Sequence, residues 1–256
     1  MAKPHMTCVS PPDIYETEQI RSLYRALPLS ESRILSLHQY FEAASHLYGI
    51  LPLKHLLHIY NTQNPPVSTE DFLAVAEVIR HEANDFYILE PAALYGNAPV
   101  TDPMEHEIVS LMVLAFGTEQ YYKLTQQQTG KPYPIPPKEE LLAYLDPCFF
   151  PSTPQNLNML SFLRSRLPRL RQSARNTLRI IQTMIWVGCG IQDVSRGLAS
   201  EGFHFLNHAE QREFTVLFHA MERHTRTIAN RGQSSAAMGK HRNPLFIAQR
   251  RVFARL

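Results

Sequence analysis

From residue 30 onward the apolar positions fall at intervals of three and four, the spacing that stacks side chains along one face of a helix. Ile34, Leu37, Phe41, Ala44 and Tyr48 trace the first stripe, with Ser30 placed as its N-cap and Gly49 as its stop. Leu53, Leu56, Leu57 and Tyr60 form a shorter stripe. Phe72, Val75, Ala76 and Ile79 form a third, opened by Ser68 with Asp71 near the capping-box position. Ahead of these, Ile14, Ile20, Leu23, Tyr24 and Leu27 outline a helix closed by Pro28. The period then changes: residues 86–89 read as a short strand, with 92–95 as its hairpin partner around Glu90-Pro91. Three helices followed by a hairpin is the order of a winged-helix module, here predicted over residues 30–96. The segment is acidic, which favours a packing or dimerising role over reading a nucleic-acid groove.

Asp102-Pro103 predicts the start of a further helix, with Ile108, Leu111, Met112 and Ala115 on its face and Tyr121, Tyr122 and Leu124 extending the period past Gly117. Residues 129–137 hold four prolines in nine positions and predict an extended strap. Tyr121, Tyr122, Tyr133, Phe149 and Phe150 cluster around it, as anchors for the strap or, alternatively, as stacking platforms for bases. Beyond the strap come a short helix over 138–145 and one carrying Leu157, Leu160, Phe162 and Leu163. A strong helix over 170–187 has Ala174, Leu178, Ile181 and Ile185 on one face. Asn207 with Glu210 opens another, reaching about residue 229, and a terminal helix is expected over 244–256. The expected fold is mostly α: a three-helix module with a short β-hairpin, winged-helix-like, followed by a helical bundle. Its regions are an acidic N-terminal part over 1–128, a strap and linker helices over 129–160, and a basic part over 161–256.

Charge sharpens this division. The formal net charge of +2 conceals sixteen Lys or Arg against five Asp or Glu in residues 161–256, a net of +11, and a net of −9 in the first 160 residues. Such polarity points to a polyanionic partner, or to one half neutralising the other within a chain or between two copies. Arg171, Arg175 and Arg179 recur every four residues, a ladder that rises about 6 Å per step on a helix. That step is close to the phosphate spacing of a nucleic-acid strand, and guanidinium groups suit bidentate phosphate contacts. Together with Arg223, Arg226 and Arg231 they form the expected nucleic-acid contact set. A solvated face, or arginines consumed by carboxylates of the acidic half, would show the same spacing.

Other chemistry finds little footing. Three cysteines, Cys8, Cys148 and Cys189, are far apart and form no Cys-x-x-Cys pair, which fits a reducing compartment rather than a disulfide framework or cysteine zinc site. The twelve histidines include no His-Glu-x-x-His; His204 and His208, His219 and His224, and His55 and His58 lack the companions of a metal site. Neither Gly-x-Ser-x-Gly nor a phosphate-binding loop occurs, so no catalytic residue, metal or cofactor is predicted. The nearest enzymatic grouping is His219, Glu222 and Arg226, aligned by spacings of three and four. The first residues lack the apolar run of a signal peptide, and the longest apolar run, 180–191, is too short to cross a membrane. A cytoplasmic location is expected.

Two stretches carry a resemblance. Residues 131–144, Lys-Pro-Tyr-Pro-Ile-Pro-Pro-Lys-Glu-Glu-Leu-Leu-Ala-Tyr, resemble a segment of uncharacterised helical proteins of Gram-positive bacteria and their mobile elements, some of which carry a SEC-C zinc motif. Residues 223–232, Arg-His-Thr-Arg-Thr-Ile-Ala-Asn-Arg-Gly, are similar to a later segment of the same proteins, and 47–50 to the start of their first module. The resemblance implies a helical fold and a bacterial origin. The Cys-x-Cys…His-Cys cluster is absent here, so zinc does not carry over. The functional expectation is a non-enzymatic binding protein whose arginine-rich half contacts nucleic acid. The alternative is a protein adaptor, an inhibitor (for example of a host defence system), or a self-assembling dimer that uses acidic and basic complementarity.

Overall fold

A computed structural model describes residues 12–90, 102–166 and 173–240. The chain divides into two compact units, Met1–Phe149 and Phe150–Leu256. The described residues form twelve α-helices, one three-stranded sheet and one short hairpin.

The first unit is organised around helix α2 (Glu31–Tyr48), which follows α1 (Thr17–Ala26). Besides the predicted stripe, α2 buries Tyr40, Ala43 and Leu47, so it is apolar around most of its second half and has neighbours on several sides. Gly49 ends it at φ 68°, a left-handed turn that glycine takes without Cβ strain and that sends the chain straight into β1 (Ile50–Pro52). Next come α3 (Leu53–Gln63) and α4 (Thr69–Arg80), the latter with the Ser68 side chain accepting from the Asp71 amide at 3.1 Å. β2 (Phe86–Leu89) and β3 (Glu107–Ser110) then pair antiparallel, with Ile88 opposite Ile108. β3 also pairs with β1, with Leu51 opposite Ile108, so the sheet order is β1-β3-β2.

Helix, strand, two helices and two strands around a three-stranded antiparallel sheet is a winged-helix-like arrangement, and the fold is mostly α. One detail departs from the expectation, the helix from Asp102, and the expected hairpin partner of β2, residues 92–95, is not reached by the described residues. The strand bonded to β2 among those described is β3, which extends the module to Ser110. The helix expected from Asp102 is broken into a 3-10 turn (Pro103–Glu105), β3, α5 (Leu111–Ala115) and α6 (Thr118–Gln128). Ile108 and Val109 are both fully buried, so this strand has two covered faces. A strand of that kind is a continuous apolar run, which periodicity cannot tell from a buried helical turn.

The strap belongs to the first unit. Proline segments offer carbonyl acceptors but lack amide donors, and α2 and α3 supply side-chain donors to match. The Tyr48 hydroxyl donates to the Pro134 carbonyl at 2.6 Å and Gln63 Nε2 to that of Pro136 at 2.5 Å. The Tyr133 hydroxyl returns a bond to the Ile50 carbonyl at 3.3 Å, with its ring edge-on to Tyr48. Beyond the strap, α7 (Lys138–Leu142) and a 3-10 turn (Ala143–Leu145) pack against α2.

The second unit comprises α8 (Pro154–Arg164), α9 (Ala174–Trp186), α10 (Ile191–Ser200) and α11 (His208–His224). Side chains of Thr153, Ser173 and Asn207 cap α8, α9 and α11 by accepting from amides in their first turns. Its core joins Met159, Leu163, Ile181 and Ile185 to phenylalanines, among them Phe162 and Phe214, whose rings lie 5.9 Å apart. The helix expected to reach residue 229 stops at His224. There β-branched Thr225, Thr227 and Ile228 turn the chain into β4 (Arg226–Thr227), a 3-10 turn (Ile228–Asn230) and β5 (Gln233–Ser234), before α12 (Ser235–Lys240).

Candidate nucleic-acid interface and a buried histidine cluster

Of the six arginines expected to contact nucleic acid, Arg171 lies outside the described residues. Arg175 and Arg179 sit one turn apart on α9, both exposed, and neither forms an ion pair with a described residue. No acidic residue occurs anywhere in α9, so neither arginine has a carboxylate neighbour along its own helix. Arg223 is exposed in the last turn of α11, where a cation complements the helix dipole.

The other two members serve the hairpin. Arg226 is half-buried and its Nη1 donates to the Gly232 carbonyl at 3.0 Å, closing the β4–β5 turn. Arg231 has a left-handed backbone, with φ 51° and ψ 51°, as the residue ending the 3-10 turn, and it too is half-buried. Sequence spacing alone does not separate these turn-forming arginines from the exposed ones. The signal was local: Asn230-Arg231-Gly232 is a turn sequence, and a guanidinium beside it has backbone carbonyls within reach.

A further arginine, Arg166, is committed to carboxylates. Its Nε donates to Glu210 Oε1 and its Nη2 to Glu213 Oε2, both at 2.9 Å, while its guanidinium lies 3.8 Å from the Phe162 ring centre. Glu210 also accepts from the Leu206 amide at 2.7 Å. His219 Nδ1 and Glu222 are 3.0 Å apart and both exposed on α11, whereas Arg226, the third member of the enzymatic grouping, is occupied at the hairpin.

The first unit contains a cluster not anticipated from the sequence. The turn between α4 and β2 carries His81, Glu82 and Asp85, and each meets a distant partner. Glu82 accepts from His38 Nε2 of α2 at 2.8 Å. Hydrogen bonding to Glu82 raises the pKa of His38 against the opposing effect of burial. Burial first, and then the negative charge of Glu82, push the pKa of the Tyr24 phenol of α1 upward. His81 Nδ1 donates to the Asp13 carbonyl at 2.7 Å and its ring stacks on Tyr15 at 4.0 Å. His46, two turns beyond His38 on α2, reaches the Tyr144 carbonyl through Nδ1 at 2.6 Å and the Asp85 carboxylate through Nε2. Among the described residues no group of three or more His, Cys, Asp or Glu is placed to hold a metal ion. Nor is any described helix long and apolar enough to cross a membrane.

In comparisons with known proteins, no protein family, no curated protein and no solved structure matches the chain.

Proposed function

We propose that the second unit binds the phosphate backbone of nucleic acid through exposed arginines, with Arg175 and Arg179 on α9 as the central pair and Arg223 as a further contact. The observation that carries this reading is the pair on α9: two exposed guanidinium groups a turn apart, on a helix without acids, in a region of net charge +11. Guanidinium groups so placed can each meet a phosphate of one strand. The winged-helix-like unit is not assigned this role. In a helix-turn-helix reader the recognition helix enters the groove. The corresponding α4 exposes Thr69, Glu70 and Glu77, and its one cation, Arg80, faces Glu77 and Glu90. Such a surface repels phosphate.

Fluorescence anisotropy with labelled single- and double-stranded DNA and RNA, across a salt series, tests the proposal. Binding is expected with a slope of log affinity against log salt of about −0.9 per phosphate neutralised on duplex DNA. Absence of binding at low salt, or affinity indifferent to salt, overturns it.

A second reading, docking of a protein or of another copy, is favoured by the surface around α1. Leu35, 60% exposed, lines an apolar notch of about 560 Å³ with Tyr24, Leu27, Leu29 and Ile34, and Leu23, 36% exposed, lines a second notch with Tyr15 and Leu27. Light scattering in low and high salt separates its forms. A dimer held by charge falls apart as salt rises; one held by this apolar surface persists.

A further inference from the structure

His46 is 9% exposed at its side chain and sits between two groups that can only accept hydrogen bonds, a backbone carbonyl and a carboxylate. A neutral imidazole carries one N–H and the imidazolium two, so the arrangement is fully bonded only when the ring is protonated. We propose that His46 is a proton-operated latch. As the imidazolium it ties the turn before β2 and the turn after the strap to α2; when neutral it releases the turn before β2.

The side that opens follows from burial. The contact with the Tyr144 carbonyl is partly buried, so losing it costs more than losing the contact with Asp85, whose side chain is 51% exposed and where water replaces the imidazole. The neutral ring therefore keeps its proton on Nδ1, and its bare Nε2 then faces the Asp85 carboxylate, lone pair against lone pair. The charged groups acting on His46 are Asp85, from the turn between α4 and β2, and Glu42, one turn earlier on α2 itself. His38 is affected by Glu82 and Glu42, and Arg25 and Glu31 line the same notch. His38 has a single carboxylate partner among these, so it keeps that bond when neutral and loses only the charge assistance. The switching step belongs to His46.

The direction of its titration agrees. Burial lowers the pKa of His46, but the Asp85 and Tyr144 hydrogen bonds and the two carboxylate charges outweigh it, and the net shift is upward. A histidine raised above its unfolded value contributes stability that is complete below that value and is lost as pH rises through the folded pKa. The latch is thus closed in mild acid and opens on the alkaline side of the usual histidine range.

The test joins two NMR measurements on the full chain: the imidazole titration of His46, and amide exchange corrected for its intrinsic pH dependence. The reporters are the amides of His81, Glu82 and Asn84, which are bonded within the turn, with Asp146, at the other end of the latch, as reference. The His46 midpoint is expected above that of an unfolded-chain histidine. Turn protection is expected to fall about fivefold through that midpoint, the equivalent of one net hydrogen bond, while Asp146 holds. In Asp85→Asn the amide oxygen accepts from Nε2 of the imidazolium and the amide nitrogen donates to the bare Nε2 of the neutral ring, so the response flattens; His46→Gln removes it. A midpoint at or below the unfolded value overturns the proposal, as does a turn that loosens equally in wild type and Asp85→Asn.

Discussion

Glu210→Ala is expected to lower the stability of the second unit by about 3–5 kcal/mol, the usual cost of removing one partner from a buried ion pair. The effect is large because of what stays behind. Arg166 is held in place by Phe162, both through the ring beneath its guanidinium and through a bond to the Phe162 carbonyl at 3.1 Å. With Glu210 gone, the carboxylate that remains to it among its described ion pairs is the outer one, Glu213, which is 54% exposed. The Leu206 amide also loses its acceptor. Glu213→Ala removes a solvated partner of the same arginine and should cost about 1 kcal/mol or less. Urea unfolding of both variants, followed by the fluorescence of Trp186 in this unit, checks the contrast. Equal costs for the two would show that burial does not govern this network.

Much of the fold was legible because its signals are local. Ser68 and Asn207 cap helices as side-chain acceptors, as their spacing to Asp71 and Glu210 foretold, and the stripe from Ile34 to Tyr48 faces the core. What escaped has identifiable physical causes. β3 hid inside an apparent helix because both of its faces are buried. The helix ending at His224 seemed to continue because Thr225 to Ile228 interrupt it with propensity rather than with glycine or proline. The winged-helix-like order was visible from three helix stripes and one strand, yet its closing strand lies some seventeen residues beyond β2, a separation across which turn chemistry says nothing.

The charge division proved coarser than the site it pointed to. Counting places sixteen cations after residue 160 without distinguishing their tasks, and the structure assigns Arg166 to carboxylates and Arg226 to a turn. The histidine cluster was invisible for the opposite reason. His46 and Asp85 are thirty-nine residues apart, and His46 and Tyr144 ninety-eight, so only the folded chain brings them together. Helix spacing does put His38 and His46 on one side of α2, but a pair of histidines two turns apart is an unremarkable pattern until the opposing carboxylates are known.

Arg175→Ala combined with Arg179→Ala is expected to weaken nucleic-acid affinity by about a hundredfold, taking about 1.5 kcal/mol for each charge-assisted hydrogen bond to phosphate that is removed. The salt slope should become shallower by about 1.8 on duplex DNA, since each arginine accounts for about one displaced counterion. Folding stability should be nearly unchanged, because both side chains are exposed and alanine is the strongest helix former. That combination separates a binding surface from a merely solvated one, where the double variant would change neither affinity nor slope. Arg212→Ala, at an exposed position on α11, serves as the comparison. If the charge of the unit acts only as a diffuse field, removing Arg212 weakens binding as much as removing either α9 arginine. If α9 provides the contact, the losses concentrate at Arg175 and Arg179. Equal effects at all three positions would remove the argument for a localised interface, leaving net charge as the whole of the attraction.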